Sequence, residues 1–340
     1  MSYKSKQYEN AKKFKKSLQD REEIEYTVPV EGKPKPFEHF FKKTKLNLWE
    51  HIRNNAVDYF KKKGIIWHTN KIENNPDTEP EGNMLSSQIS CLNHLFLLRE
   101  NPDYASATLK NIDNRIVSAK IVRDGYGDDG YIEFEAWGTS ENNNPLREKS
   151  SKRKRGEKST SIDAVMVGRK DDGKNILVLI EWKFVEDYTK DYGDEKFKYH
   201  EGYHDDIYGT LLNEENCPIH RIENSKDFYY EPFYQLMRQT LWGWKAAKDY
   251  CCDEYIHLHI IPRENLAIQE ITSPNLKNMG STMSEVWKNL LKEPLRYKVI
   301  SPEELLSPLK NNQNFMKDNQ ELKDLFAYLE RRYLEKYCDS

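Results

Sequence analysis

A mixed α/β fold, a central sheet flanked by helices with a helical extension at the N-terminus, is what this sequence predicts. Three observations lead there. Residues 161–184 read as a β-hairpin, being β-branched and apolar on both sides of an Asp-Gly turn. Strand and helix patterns alternate from Pro232 onward. Apolar residues recur at helical spacing through the first 80 residues and again from Met84.

In chain order, residues 1–80 form a mainly helical N-terminal extension, with Phe40, Leu46, Leu48, Ile52, Ala56 and Phe60 as its buried stripe. Glu73 to Asn83, rich in Pro, Asn and Glu, reads as a linker. Residues 81–340 are then the main domain. A helix begins near Met84 with Leu85, Ile89, Leu92 and Phe96 on one face and Gln88 on its flank. Tyr131 to Trp137 alternates as a strand does, which puts Glu133 and Glu135 on one face. Glu186 to Asp206 is acidic and Tyr-rich without a clear period, a loop or frayed helix. Pro232 sits in a helix first turn, followed by a buried stripe of Phe233, Leu236, Met237, Thr240, Leu241 and Trp244. Gln235 and Gln239 lie one turn apart on another face of that helix, either lining a cleft or as ordinary surface residues. The remainder reads as a strand (255–262), a helix (283–292), a strand (296–300), and helices from Pro302 and about residue 317. Within the first of these strands, His257 and His259 alternate with apolar residues, the pattern of a half-exposed strand.

The hairpin carries the chemistry. Side chains two apart on a strand share a face, so Glu181 and Lys183 point the same way. A three-residue loop, Asp171-Asp172-Gly173 with Gly173 in the left-handed region, makes Asp163 the cross-strand partner of Glu181, with Cβ atoms about 5 Å apart. A two-residue Asp172-Gly173 loop would instead set Asp163 opposite Trp182, on the wrong face. Two carboxylates that close repel unless a cation or a shared proton separates them, and oxygen ligands without His or Cys suit Mg2+ or Mn2+. Lys183 beside them could orient an attacking water and stabilise charge on a phosphate oxygen. In a chain with 32% charged residues an E-x-K triplet alone carries little weight. What gives this one weight is that it ends a continuously apolar strand, Ile176 to Ile180.

Asp163, a hairpin, and Glu181-Trp182-Lys183 resemble the PD-(D/E)XK nuclease superfamily, the restriction-endonuclease-like fold. The resemblance extends to Ser86-Ser87-Gln88 opening a helix, Phe134-Glu135 ending a strand, and Arg155-Gly156 followed by Thr160 to Ala164. It also takes in Ile180 to Phe184 with Glu186, Tyr234 to Arg238, and Tyr328-Leu329 with Arg332-Tyr333. Together these are similar to one subgroup of bacterial restriction-endonuclease-like proteins, over roughly residues 45 to 337. Ile162 stands where the superfamily name has Pro, a position that varies. The resemblance implies that Asp163, Glu181 and the Trp182 backbone carbonyl hold the metal while Lys183 assists the nucleophilic water. Glu135 is a candidate for an additional metal ligand, and Gln88 and Gln235 for contact with nucleic acid.

Net charge is -3 and does not announce a nucleic-acid binder, but distribution matters as well as the sum. Between Arg147 and Lys158, seven cations face Glu148 and Glu157, and Lys152, Arg153, Lys154 and Arg155 form a candidate phosphate clamp entering the Asp163 strand. The same composition also suits a solvated, mobile loop. Five scattered cysteines without paired C-x-x-C spacing read as reduced thiols; Cys217 with His220 lacks the second regular pair of a zinc site. No signal peptide and no run of roughly 20 apolar residues is present, so a cytoplasmic location is expected. The expectation is thus a Mg2+- or Mn2+-dependent endonuclease acting on DNA, with RNA an open alternative and a homodimer the simplest arrangement for double-strand cutting. The competing readings are a catalytically silent nucleic-acid-binding or regulatory protein of the same fold, and a structural partner in a larger defence assembly.

Overall fold

The computed structural model describes residues 1–18, 27–30, 33–36, 38–68, 79–123, 127–137, 160–188 and 208–337, with backbone alone at 27–30 and 33–36. The Lys152–Arg155 stretch, much of the expected 73–83 linker and most of 186–206 lie outside them.

A six-stranded mixed sheet forms the centre. Its strands are β3 (Ile116–Lys120), β4 (Glu133–Ala136), β5 (Ile162–Lys170), β6 (Asn175–Trp182), β7 (Glu254–Ile260) and β8 (Tyr297–Ile300), in the order β3-β5-β6-β7-β8 with β4 also on β5. The β3–β5, β4–β5 and β5–β6 pairs are antiparallel; β6–β7 and β7–β8 are parallel. Each parallel step needs a crossover, and α5 (Phe233–Ala246) and α6 (Met283–Leu290) supply them. A short hairpin, β1 (Thr27–Val30) with β2 (Lys33–Pro36), interrupts the helical N-terminal segment, a strand pair that the helical expectation did not contain.

Continuous apolarity along β6 means burial on both faces. Ile176, Val178, Ile180 and Trp182 join one core with Ile89, Leu92 and Leu95 of α3 (Ser87–Leu95), Leu109 of α4 (Pro102–Ile112), Leu306 of α7 (Pro302–Lys310) and Phe326 of α8 (Gln320–Tyr333). Ile52, Ala56 and Phe60, at and within α2 (Arg53–Lys63), enter the same core. Leu177 and Leu179 turn to the other side, against Leu236, Met237 and Trp242 of α5 and Trp287 of α6. Trp242 is the fully buried indole of α5, while Trp244, expected in the stripe, is only partly covered. At the N-terminal side, α1 (Tyr3–Ser17) lies against α8.

Local signals explain the helix starts. Ser86 caps α3 through the Ile89 N–H, Asn101 precedes Pro102 at the start of α4, and Ser301 with Glu304 closes a capping box on α7. Among the described residues no helix is long and apolar enough to cross a membrane.

The histidine strand differs from expectation. β7 runs between β6 and β8 with helices on both faces, so His257 and His259 are each 1% exposed. A parallel strand in the middle of a sheet has no solvent face, whatever its polar alternation suggests.

At Gly243, α5 comes close against the sheet. A Cβ there would stand 2.8 Å from Leu179 Cδ1 and 3.1 Å from Tyr255 Cδ2, both from buried side chains. Gly243→Ala therefore lowers the urea midpoint: overpacking costs about 1–3 kcal/mol and outweighs the gain of about 1 kcal/mol in helix propensity. A midpoint at or above wild type, with an unchanged m value, would contradict this packing.

Candidate active site

The β5–β6 turn sets the site. Arg169 pairs with Asn175, the Gly173 N–H donates to the Lys170 carbonyl at 3.1 Å, and Gly173 adopts φ +84°, so the loop is the three-residue Asp171-Asp172-Gly173 form. Register then runs unbroken to Ala164 opposite Ile180, and the next position sets Asp163 across from Glu181. On the other flank of β5, Phe134 pairs with Ala164 and Ala136 with Ile162, which brings Glu135 beside Asp163. Glu181 in turn pairs with His259. One row crossing four strands thus reads Glu135, Asp163, Glu181, His259.

Helices of both layers reach this row. From α3, Gln88 Nε2 donates to Glu135 Oε1 at 2.7 Å, while Gln88 Oε1 accepts the His68 N–H at 3.0 Å. From α5, Gln239 Nε2 donates to Glu181 Oε2 and Gln235 Oε1 accepts from Lys183 Nζ at 2.6 Å. Lys183 Nζ also stands 2.6 Å from Glu181 Oε1 and 5.7 Å from the Tyr188 ring centroid. Asp163 Oδ2 accepts the Trp182 N–H at 2.7 Å. Glu135, Glu181 and Lys183 are buried, whereas Asp163 keeps partial access to solvent.

Glu135 departs from the expected strand alternation. Its φ of +50° is left-handed, and this turns it away from Glu133. Glu133 accepts from Tyr250 Oη at 2.9 Å in the core under α5, whereas Glu135 faces α3 on the opposite layer. A non-glycine residue in this region within a strand costs on the order of 1–2 kcal/mol and is held there by its surroundings.

The electrostatics follow from crowding. Burial, then Glu181 and Glu135, hold the Asp163 carboxyl well above the usual carboxylate range, only partly opposed by Lys183 and the Trp182 N–H. For Lys183, burial disfavours the ammonium, but Glu181 foremost, with Tyr188, Glu186 and Asp163, raises it well above the ordinary lysine value. On α3, burial followed by Asp163, Glu135 and Glu181 pushes the Cys91 thiol up. Behind the row, burial and then Lys183 lower the His257 imidazole to about 3.

The structure therefore brings Asp163, Glu181, Lys183, Glu135, Gln88 and Gln235 together. Gln88 and Gln235, expected to touch nucleic acid, here hold Glu135 and Lys183. Lys152, Arg153, Lys154 and Arg155 lie outside the described residues. Gln239, paired with Gln235 in the sequence as a possible lining of the cleft, reaches Glu181, whereas nothing in the sequence connects His257 with this site. Among the described residues no group of three or more His, Cys, Asp or Glu side chains is arranged to hold a metal ion, and each carboxylate of the row accepts from a protein donor.

A carboxyl whose native pKa exceeds its unfolded value binds a proton more tightly when folded. Its contribution to stability is complete below the ordinary carboxylate pKa near 4 and is lost as pH rises toward the native pKa. Asp163→Asn removes that loss and keeps an oxygen for the Trp182 N–H. In EDTA, urea titrations at pH 4.5 and 7.5 should show the Asp163→Asn variant gaining on wild type at the higher pH; a variant that instead loses ground to wild type between those two values would refute the assigned shift.

Among curated protein sequences and among solved structures, nothing matches the chain. A protein-family model described as Restriction Endonuclease associating with ARP matches residues 5–334. That span includes every described member of the row and of its supporting helices, and on it the chain belongs to this restriction-endonuclease family.

Proposed function

We propose that the chain is a divalent-metal-dependent endonuclease that hydrolyses phosphodiester bonds in DNA. The observation that carries this reading is the Asp163–Glu181–Lys183 constellation, with the ammonium 2.6 Å from Glu181 at the end of an apolar strand, in a chain of a restriction-endonuclease family. Asp163, Glu181, the Trp182 carbonyl and Glu135 would hold Mg2+ or Mn2+. Their donor chemistry fits: oxygen ligands crowded enough to disfavour ionisation of Asp163, with a single ammonium beside them. When bound, the cation supplies Lewis-acid polarisation of the phosphodiester and a more acidic water.

Lys183 is an ammonium at neutral pH, so it donates hydrogen bonds and cannot take a proton. Its part is to orient the attacking water and to offset negative charge gathering on the phosphate, aligned by Glu181 and Gln235. The Lys152–Arg155 stretch would neutralise backbone phosphates ahead of β5. Two copies of the chain would be the simplest way to cut both strands.

A second reading, a silent nucleic-acid-binding protein, is favoured by one observation: every carboxylate of the row already has a protein donor. Assays on single-stranded, double-stranded, branched and methylated substrates with Mg2+ or Mn2+ separate the two. Lys183→Ala should lower the cleavage rate by about 10²–10³-fold while DNA affinity stays within a few-fold, as for a group acting in the transition state. If wild type and Lys183→Ala are equally silent on every DNA and RNA, the nuclease reading fails and the binder stands. Separately, Mn2+ should raise the melting temperature of wild type and not of Asp163→Asn, since a ligand that binds only the native state stabilises it. Equal shifts in both proteins would remove Asp163 from the ligand set.

A further inference from the structure

We infer that Gln239 and His257 are positioning residues for Glu181, the last two links of a one-way run of neutral donors that begins at Thr240. The inference rests on the nuclease reading for its consequence, but its geometry stands apart from it.

Direction is fixed by elimination. Glu181 accepts from Lys183 on Oε1 and from Gln239 on Oε2. A carboxylate oxygen in this position only accepts, so the amide nitrogen of Gln239 must face it. That turns Gln239 Oε1 toward His257 Nε2, 3.1 Å away. An amide oxygen cannot donate, so the proton between them belongs to the imidazole. His257 is therefore the Nε2–H tautomer, and Nδ1 carries the lone pair that accepts from Thr240 Oγ1 at 3.1 Å. Flipping the amide would set two acceptors against each other at the carboxylate, and the Nδ1–H tautomer with the amide unflipped would do so between His257 Nε2 and Gln239 Oε1.

The run is anchored at both ends of the polypeptide framework. Gln239 and Thr240 are neighbours on α5, and His257 lies on β7 opposite Leu179 of β6. All three side chains are 1% exposed. Burial and the Lys183 charge keep His257 neutral, which the assigned tautomer requires.

Neutrality is the point of the arrangement. A second cation on Glu181 Oε2 would orient the carboxylate and also cancel its charge. Gln239 orients it and leaves the charge for Lys183 and a divalent ion to use. In this way the carboxylate plane is fixed by a helix on one oxygen and by Lys183, just past the end of its own strand, on the other. Groups that orient ligating side chains in this way typically change metal affinity or activity by about 10–100-fold when removed.

Histidine-labelled protein and 15N NMR at neutral pH read the tautomer directly. His257 should show a protonated Nε2 and an unprotonated Nδ1; an Nδ1–H or imidazolium pattern overturns the inference. In Mg2+-dependent cleavage, Gln239→Leu and His257→Phe should each lower kcat by about 10–100-fold with little change in KM, and His257→Gln, which still donates to Gln239 and accepts from Thr240, should regain most of it. Should His257→Phe fail to fold, Gln239→Leu carries the kinetic arm. Wild-type kcat in either variant overturns the positioning role, and so does a His257→Gln no better than His257→Phe. A wild type that cuts nothing sinks the nuclease reading instead, and the tautomer spectrum alone then decides the relay.

Discussion

Excess negative charge in a confined space governs the arrangement around β5 and β6. Three carboxylates in one row of a sheet face a single ammonium, and a carboxylate taken out of water without partners costs several kcal/mol. The protein meets this with donors rather than with more cations: the Trp182 N–H for Asp163, Gln88 for Glu135, and Gln239 for Glu181. Those donors soften the repulsion without abolishing it: burial first, and then Glu181 and Glu135, still hold the Asp163 carboxyl above the usual carboxylate range.

Both cores must be intact for the row to keep its shape. Gln88 comes from the layer of α3, and Gln235 and Gln239 come from the layer of α5. Trp182 ties the layers together: its backbone N–H serves Asp163, while its indole donates to Ser90 Oγ at 3.1 Å and lies 4.6 Å from the His94 ring. Ser90 and His94 share α3 with Gln88. Movement of α3 would therefore disturb Glu135 and the Trp182 backbone at the same time.

Much of this is legible in the sequence where the signal is local. Asp171-Asp172-Gly173 has the residue types of one particular loop, and loop length alone decides whether Asp163 meets Glu181 or the opposite face. Ser86 and Pro302 mark helix starts to within a few residues, whereas α4, capped by Asn101, and β3 after it were not among the expected elements. What escapes is whatever depends on packing between distant segments. Spacing tells that Gln235 and Gln239 share a face of α5, but not that this face looks at the acidic row. The buried state of His257 and His259 depends on β8 and on two helical layers that supply their cover. Nothing in the composition around Glu135 marks a left-handed backbone, because that conformation is imposed from outside the strand.

The meeting of α1 with α8 has a kinetic side. Gln7 donates to the Tyr333 carbonyl at 2.8 Å and Asn10 to the Arg332 carbonyl at 2.9 Å, so the first helix supplies donors for the otherwise orphaned last carbonyls of the final one. The Gln7–Tyr333 contact joins residues 326 apart in sequence. α1 cannot complete these contacts until residues more than 300 positions later have been made, and its docking face stays open to water in the meantime. Pairings of such long range come late and slowly. Whichever of the two helices forms first therefore keeps its half of the seam wet until the other arrives.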